Sequence, residues 1–344
     1  MTIAKVVQTS PDDVTYTTLP GGSGSLNFEA AEINDTIFGQ SFNSNEIGLI
    51  NWNASANAVF KGFPGYVAKV KIVSGTATEV TGRPMAVVSG QRYKASTAAE
   101  TLWDRSKTVT VYDDATDVTA EVESFNYLFG EIVFKSTYTV TGTITADYGY
   151  FGTSSVAKAQ SLNLTQTADT IDQTDFDTAQ GNNGYQVFGP GLRTINAEIS
   201  GFYDHSAGFI ATLLARDELI LEINPDGNDK SVARGFFKLT SHSQDGDVGA
   251  LEQTSLNFSL AVPDGAEVPF GWSHANDTTL STAIRTLLDA YIDETKPYVQ
   301  YLYDGTNGHK GQVVVTDISL ATGLDVMNEF TVNLQGTDAP TVVP

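Results

Sequence analysis

Gly48-Leu49-Ile50-Asn51-Trp52-Asn53-Ala54 returns as Gly191-Leu192-Arg193-Thr194-Ile195-Asn196-Ala197, and the organisation of the chain follows from that echo. Both copies keep Gly-Leu-x-x-x-Asn-Ala and run on as strand-like sequence, to Phe60 in one and Tyr203 in the other. Upstream, Ser25-Leu26-Asn27-Phe28 is repeated as Ser161-Leu162-Asn163-Leu164. Similarity in two separate blocks marks a duplicated supersecondary unit. These are two front halves.

A second repeat lies downstream. Ile210-Ala211-Thr212-Leu213-Leu214 matches Ile284-Arg285-Thr286-Leu287-Leu288, and the turn signal Asp226-Gly227 matches Asp304-Gly305. At a constant offset of 76, Gly235, Thr240, Ser243 and Asn257 match Gly311, Thr316, Ser319 and Asn333. These are two back halves, each reading as helix, strand, turn, strand, loop, strand. The order front, other, front, back, back predicts that the inner front (161–204) closes on the back that follows it (205–263). The first front (25–63) is then completed by the last back (280–338), because insertions are tolerated at exposed loops.

The division expected is an N-terminal arm at 1–24 and a discontinuous domain at 25–63 and 267–344. An inserted outer β domain occupies 64–155, and a second domain 156–266. Within the insert, Thr108-Val109-Thr110-Val111-Tyr112 alternates with period two, as does Tyr138-Thr139-Val140-Thr141 onward to Ile144, and Glu131-Ile132-Val133-Phe134 follows Gly130. Leu280, Ile284, Leu287, Leu288, Tyr291 and Ile292 share one helical face, with Asp277, Thr278 and Thr279 as cap candidates and Pro297 as the stop. A second helix is expected near Ser206 to Arg216, built on Phe209, Ile210, Leu213 and Leu214. Residues 11–24 read as a flexible arm and Gly336 to Pro344 as an unpatterned tail. The fold class expected is mainly β: two β-sandwich or barrel modules, each with one flanking α-helix, plus the small inserted domain.

Composition agrees. The 344 residues are 41% hydrophobic and only 17% charged, which favours strands and turns over long solvated helices. Nineteen Lys and Arg face 41 Asp and Glu, a net charge of −22 that repels phosphate and disfavours binding of nucleic acid through basic patches. With no cysteine, disulfides, thiolate zinc sites and cysteine nucleophiles are excluded. The N-terminal residues carry no apolar signal core, and no apolar run approaches the roughly eighteen residues of a spanning helix. A cytosolic product without membrane association is expected, and the Asn-x-Thr matches at Asn34 and Asn163 read as coincidence.

His205, His242, His274 and His309 include no i, i+4 pair, and no nucleophile elbow or phosphate loop occurs. His242 with Asp245 and Asp247 reads as a polar hairpin loop. Asp226-Gly227-Asn228-Asp229 lacks the glutamate of a calcium loop, Phe237 standing at the twelfth position. Asp113, Asp114 and Asp117 read as an acidic turn. Trp52 reads as core or interface, since Ile195 replaces it in the repeat; Trp103 and Trp272 remain candidates for stacking bases or sugars, Trp272 in a loop-like stretch. No catalytic, cofactor-binding or metal-ligating residue is assigned, and no enzymatic activity or cofactor is expected.

At the repeated halves the chain resembles the major tail tube proteins of long-tailed, non-contractile bacteriophages. The resemblance is carried by Asn34-Asp35-Thr36 through Asn53-Ala54-Ser55-Ala56, by Gly191 through Gly201-Phe202-Tyr203-Asp204, and by Leu221-Glu222-Ile223-Asn224-Pro225-Asp226-Gly227. Asn328-Glu329-Phe330-Thr331-Val332-Asn333-Leu334-Gln335-Gly336-Thr337 continues it. It implies rings that stack into a tube, with inner strands closing a continuous barrel that leaves no exposed edges. Two modules per chain imply trimeric rings with pseudo-sixfold symmetry. Implied partners are further copies of the chain, a tape measure protein, tail tip and terminator proteins, and DNA passing through the lumen without specific binding. The implied location is the virion tail, assembled in the cytoplasm of the bacterial host. Two alternatives stand beside this: a capsid decoration or baseplate component, and a β-sandwich adhesin or glycan-binding protein.

Overall fold

The structure, a computed structural model, describes residues 6–21, 23–34, 45–60, 69–73, 76–152, 154–155, 159–181, 184–202, 213–225, 230–246, 252–262, 268–274, 277–323 and 326–344. It is mainly β. The first strands are β1 (Val6–Ser10), β2 (Thr17–Thr18), β3 (Ser23–Asn34), β4 (Asn45–Val59), β5 (Lys69–Val73), β6 (Thr78–Ser89) and β7 (Arg92–Ala95). Next come β8 (Thr110–Asp113), β9 (Thr116–Asp117), β10 (Val122–Asn126), β11 (Glu131–Phe134), β12 (Ile144–Tyr150), β13 (Ser154–Ser155), β14 (Ala159–Asp172) and β15 (Phe188–Phe202). The last are β16 (Glu218–Asn224), β17 (Val232–Asp245), β18 (Gln253–Leu260), β19 (Phe270–Ser273), β20 (Tyr298–Leu302), β21 (Gly308–Gly323) and β22 (Val326–Val343). Helices α1 (Phe176–Gly181) and α2 (Thr282–Ile292) lie among them. Two compact units emerge: Met1–Gly65 with Leu162–Ala197 and Asn276–Pro344, and Tyr66–Ser161 with Glu198–Ala275.

In the first unit, β3 pairs with β4, β4 with β22, β22 with β21, β21 with β20, β20 with β1 and β1 with β2. Trp52 explains two glycines. Its ring is buried where a Cβ on Gly336 would lie 2.1 Å away and one on Gly311 2.5 Å away. Its indole N–H donates to the Asp338 carbonyl at 2.9 Å. Helix α2 buries Ala283, Ile284, Leu287, Leu288, Ala290 and Tyr291. Its N-cap is Ser281, whose hydroxyl accepts from the Ala283 amide; the cap candidate Asp277 instead organises the preceding turn, accepting from the Thr279 and Leu280 amides.

Both expected loose ends are built in. Within 1–24, read as an arm, β1 pairs over five residues with β20, and Thr9, wholly buried, donates its hydroxyl to the Ala283 carbonyl. The tail beyond Gly336 continues β22, with Val342 opposite His309. Turn chemistry around Pro20 and Gly21 suggested flexibility, but neighbouring backbone satisfied it: the Val59 amide donates to the Pro20 carbonyl.

In the second unit, a seven-stranded sheet runs β10-β11-β7-β6-β12-β8-β9. Its core holds Trp103, Val111, Ile132, Phe134, Ile144 and Tyr148. A further array runs β13-β5-β16-β17-β18, with β19 on β17. A second cluster joins Val73, Leu102, Leu128 and Phe129 to Ile220, Phe236 and Ala261. Residues of the 64–155 segment thus share a core with the strands after Glu218. Two expectations fail locally. Residues 138–141 form no strand, because Asp113 takes their polar groups: its carboxylate accepts from the Tyr138 hydroxyl and from the Thr141 and Gly142 amides. Trp272 lies in a strand, opposite Ala233. Of the helix expected near Ser206 to Arg216 only the end is described, helical at Leu213–Ala215, and the Asp226-Gly227 turn lies outside the described residues.

The offset of 76 survives as register. Leu239↔Phe258 and Ser241↔Asn257 become Val315↔Leu334 and Asp317↔Asn333, with a bulge at the same place in each copy. At the bulge, Thr240 and Thr316 donate their hydroxyls to the carbonyls of Asn257 and Asn333, at 3.0 and 2.9 Å. A further equivalence is invisible in the sequence. β5 flanks β16 as β1 flanks β20, both antiparallel over five residues.

Candidate functional site

Among the described residues the candidate site is a strand edge. β3 is twelve residues long and, among the described residues, pairs with β4 alone. Residues Asn27 to Asn34 are all exposed, Phe28 at 40% and Ile33 at 55%. Across the hairpin Ile47 is 75% exposed. A groove of about 430 Å³ on this hairpin is lined by Glu29, Ala30, Ile33, Gly48, Leu49 and Gln186. The edge carries no Lys or Pro, residues that blunt an edge against pairing.

The motif glycines fit the same feature. A Cβ on Gly48 would meet the Ala31 carbonyl at 3.1 Å, and one on Gly191 the Asp169 carbonyl at 2.9 Å. In both copies, then, the Gly of Gly-Leu-x-x-x-Asn-Ala admits close approach of the opposing strand. Gly184–Gln186 extends β4 on its other side. The Ile50 amide donates to the Gly184 carbonyl and the Gln186 amide to the Ile50 carbonyl, both at 2.8 Å.

The repeated hairpin is covered. β14, counterpart of β3, neighbours both β15 and β21. The Ser319 hydroxyl donates to the Asn163 side-chain oxygen at 3.2 Å, and the Tyr291 hydroxyl to the Thr167 carbonyl at 2.9 Å. Arg193 on β15 donates to the Tyr291 and Ile292 carbonyls at the C-terminal end of α2. Leu164 is fully buried where its counterpart Phe28 stands 40% exposed. Asp317, on the strand that covers β14, has its carboxyl pushed above the ordinary range by burial.

Other candidate residues do structural work. Trp103 is buried and stacks on Tyr148 with centroids 4.6 Å apart; Trp272 meets Phe270 edge-on at 6.3 Å. Asp113 is held below the usual carboxylate range by hydrogen bonds, first that of the Thr141 amide, while burial, and then Asp113, pushes the Tyr138 hydroxyl up to about 12. Asp114 and Asp117 accept from the Thr143 and Thr119 amides. His205, Asp226–Asp229 and Asp247 lie outside the described residues. His309 packs against Phe28 and Tyr303, and His274 is buried. Among the described residues no three His, Asp or Glu gather as a metal site, and no helix is long and apolar enough to cross a membrane.

One feature had escaped sequence reasoning. Glu222, 4% exposed, meets Lys71 at 2.6 Å and Arg234 at 2.7 Å. Arg234 also donates to the Thr101 hydroxyl and Leu128 carbonyl and lies 5.3 Å from the Phe129 ring centroid. Single charges inside apolar runs, as in Val70-Lys71-Ile72 and Leu221-Glu222-Ile223, were the available signal.

No family model matches the chain, and no curated protein matches it. Among solved structures it is similar over a third of its length to tail components of gene transfer agent particles. One is described as the tail of an empty particle refined with C6 helical symmetry: 15% identity, 33% of this chain, 84% of that chain, TM-score 0.29. Another comes from the virion of a native particle: 16% identity, 32% and 85% coverage, TM-score 0.28.

Proposed function

We propose that the chain is a structural subunit of a phage tail tube, polymerising into stacked rings that form a conduit for DNA. The observation that carries this reading is the twelve-residue edge of β3, which among the described residues pairs with β4 alone, whereas β14 in the second copy of the hairpin is joined both to β15 and to β21. An exposed edge of that length favours association with another chain. In this reading residues 25–63 with 267–344 form one tube module and 156–266 the second. The outer elaboration is 64–155, its first strand serving the second module. Two modules per chain call for three chains per ring, with pseudo-sixfold symmetry and three outer knobs. A tape measure protein and tail tip and terminator proteins are the further partners, the virion tail is the location, and the subunit itself catalyses nothing. The charge of −22 suits a channel that repels phosphate and keeps DNA moving, an effect screened beyond about 10 Å at 0.1 M salt.

Electron microscopy of the purified protein, at low and at high salt, tests this. Threefold rings or tubes, more abundant at high salt where self-repulsion is screened, are expected. Six identical chains per ring would overturn the trimer, and monodisperse monomers at every salt concentration would overturn the polymer.

A further inference from the structure

The two copies of the module show what the open edge of β3 receives. β14, the counterpart of β3, is covered inside the chain by β21. β20 stops pairing with β21 at Gln312, and Ser319, further along β21, is the residue that reaches β14. There Ile318 and Leu320 are buried, and Ser319 donates to Asn163 at 3.2 Å. Among the described residues, the same stretch of β17, the counterpart of β21, pairs with β18 alone. β16 pairs with β17 only as far as Lys238, and beyond Leu239 the described residues place a partner on one side only, β18. Ser241, Ser243, Gln244 and Asp245 are exposed there, where the corresponding residues of β21 are buried or half-buried. Among the described residues, one chain therefore holds one such junction and the two halves of a second that do not meet each other.

We infer that the β3 edge of one chain pairs with the Thr240–Asp245 edge of β17 in a second copy, repeating between chains the β14–β21 junction formed within one. The inference rests on the tube-subunit reading and names the contact that reading leaves open. Donor and acceptor edges are different surfaces, so the contact is heterologous and propagates from chain to chain until the rotation closes. The residue correspondence fixes a specific contact. Asn163 maps to Asn27 in the Ser-Leu-Asn repeat, and Ser319 maps to Ser243 at the offset of 76. Asn27 of one copy therefore meets Ser243 of the next. Both are exposed within a single chain. Completing the junction removes Phe28 from water, as Leu164 already is.

Cysteine cross-linking tests this on a chain with no cysteine of its own. Asn27→Cys and Ser243→Cys variants are mixed, allowed to assemble and oxidised with diamide, with the Asn163→Cys/Ser319→Cys double variant as the internal control. A disulfide-linked dimer from the mixture, absent from either single variant, is expected, alongside an intramolecular disulfide in the control. Rings or tubes that form without the Asn27–Ser243 link, while the control closes, overturn the pairing and leave the tube reading standing. Protein that stays monomeric overturns both.

Discussion

Lys71, Glu222 and Arg234 stand in one cross-strand row of the second unit, and Gln8, Gln300 and Lys310 occupy the same row of the first. In one, a buried carboxylate sits between two cations. In the other, two amides stand beside a lysine whose partner is Asp13, in the loop after β1. What covers the row differs. The chain after β5 brings Thr101, Leu128 and Phe129 over Arg234, whereas the short loop after β1 brings Asp13 and Tyr16 over Lys310. A cation under a cover needs an acceptor beside it. Where the cover supplies neutral groups the acid is in the sheet, and where the sheet offers glutamine the acid is in the loop. The long elaboration between β5 and β13 thus occupies the place of the short connection between β1 and β2, residues 11–16, and the counter-charge has moved with it.

The largest effect should come from Glu222→Gln, which leaves two cations beneath a neutral cover. A loss of about 3–5 kcal/mol is expected, read as a fall in the denaturant midpoint. Imposing the other row completely, as Lys71→Gln with Glu222→Gln and Arg234→Lys, should be milder than Glu222→Gln alone. If the triple variant is the worse of the two, the rows are not interchangeable and the comparison breaks.

Trp52 offers a smaller exchange. Its counterpart is Ile195, and Gly336 corresponds to Leu260 through the paired registers Val313↔Gly336 and Phe237↔Leu260. Trp52→Ile should cost about 2–3 kcal/mol through the space it leaves above Gly311 and Gly336. Gly336→Leu alone should be worse, since its Cβ would fall 2.1 Å from the indole. The double variant should recover part of the loss in thermal unfolding. Failure to recover would mean that the two cores fill differently despite their shared register.

Asp13→Asn should cost least, about 1 kcal/mol or less, because Asp13 is 36% exposed and Lys310 28%. The Asp13 carboxyl is held below its usual range, chiefly by the hydrogen bond from Lys310. A depressed carboxylate stabilises the fold above its ordinary value of 3.8 and loses that contribution as the pH falls through the folded value. The difference between Asp13→Asn and wild type should therefore shrink as the medium is acidified below that point. A gap unchanged in acid would assign the effect to packing instead.

The sequence by itself determined that the chain is β-rich, that its strand patterns are duplicated, and where α2 lies. Those properties rest on local chemistry: alternation in Trp52–Ala58, spacing of three and four in Leu280–Tyr291, and turn residues such as Asp304-Gly305, where the Asp304 carboxylate accepts from the Thr306 and Asn307 amides. Tertiary structure alone decided the rest. The role of β1 and β5 as equivalent strands was hidden because VVQTS and KVKIV share no pattern, and only their pairing to β20 and β16 equates them. The Tyr138–Thr141 stretch alternates like a strand, yet the Asp113 carboxylate competes successfully for its amides. Most of all, Ser25–Phe28 and Ser161–Leu164 look alike in sequence, and whether such an edge is open or covered depends on which strand arrives beside it. That is set by the path of the whole chain, through contacts between residues more than a hundred positions apart, and no local pattern encodes it.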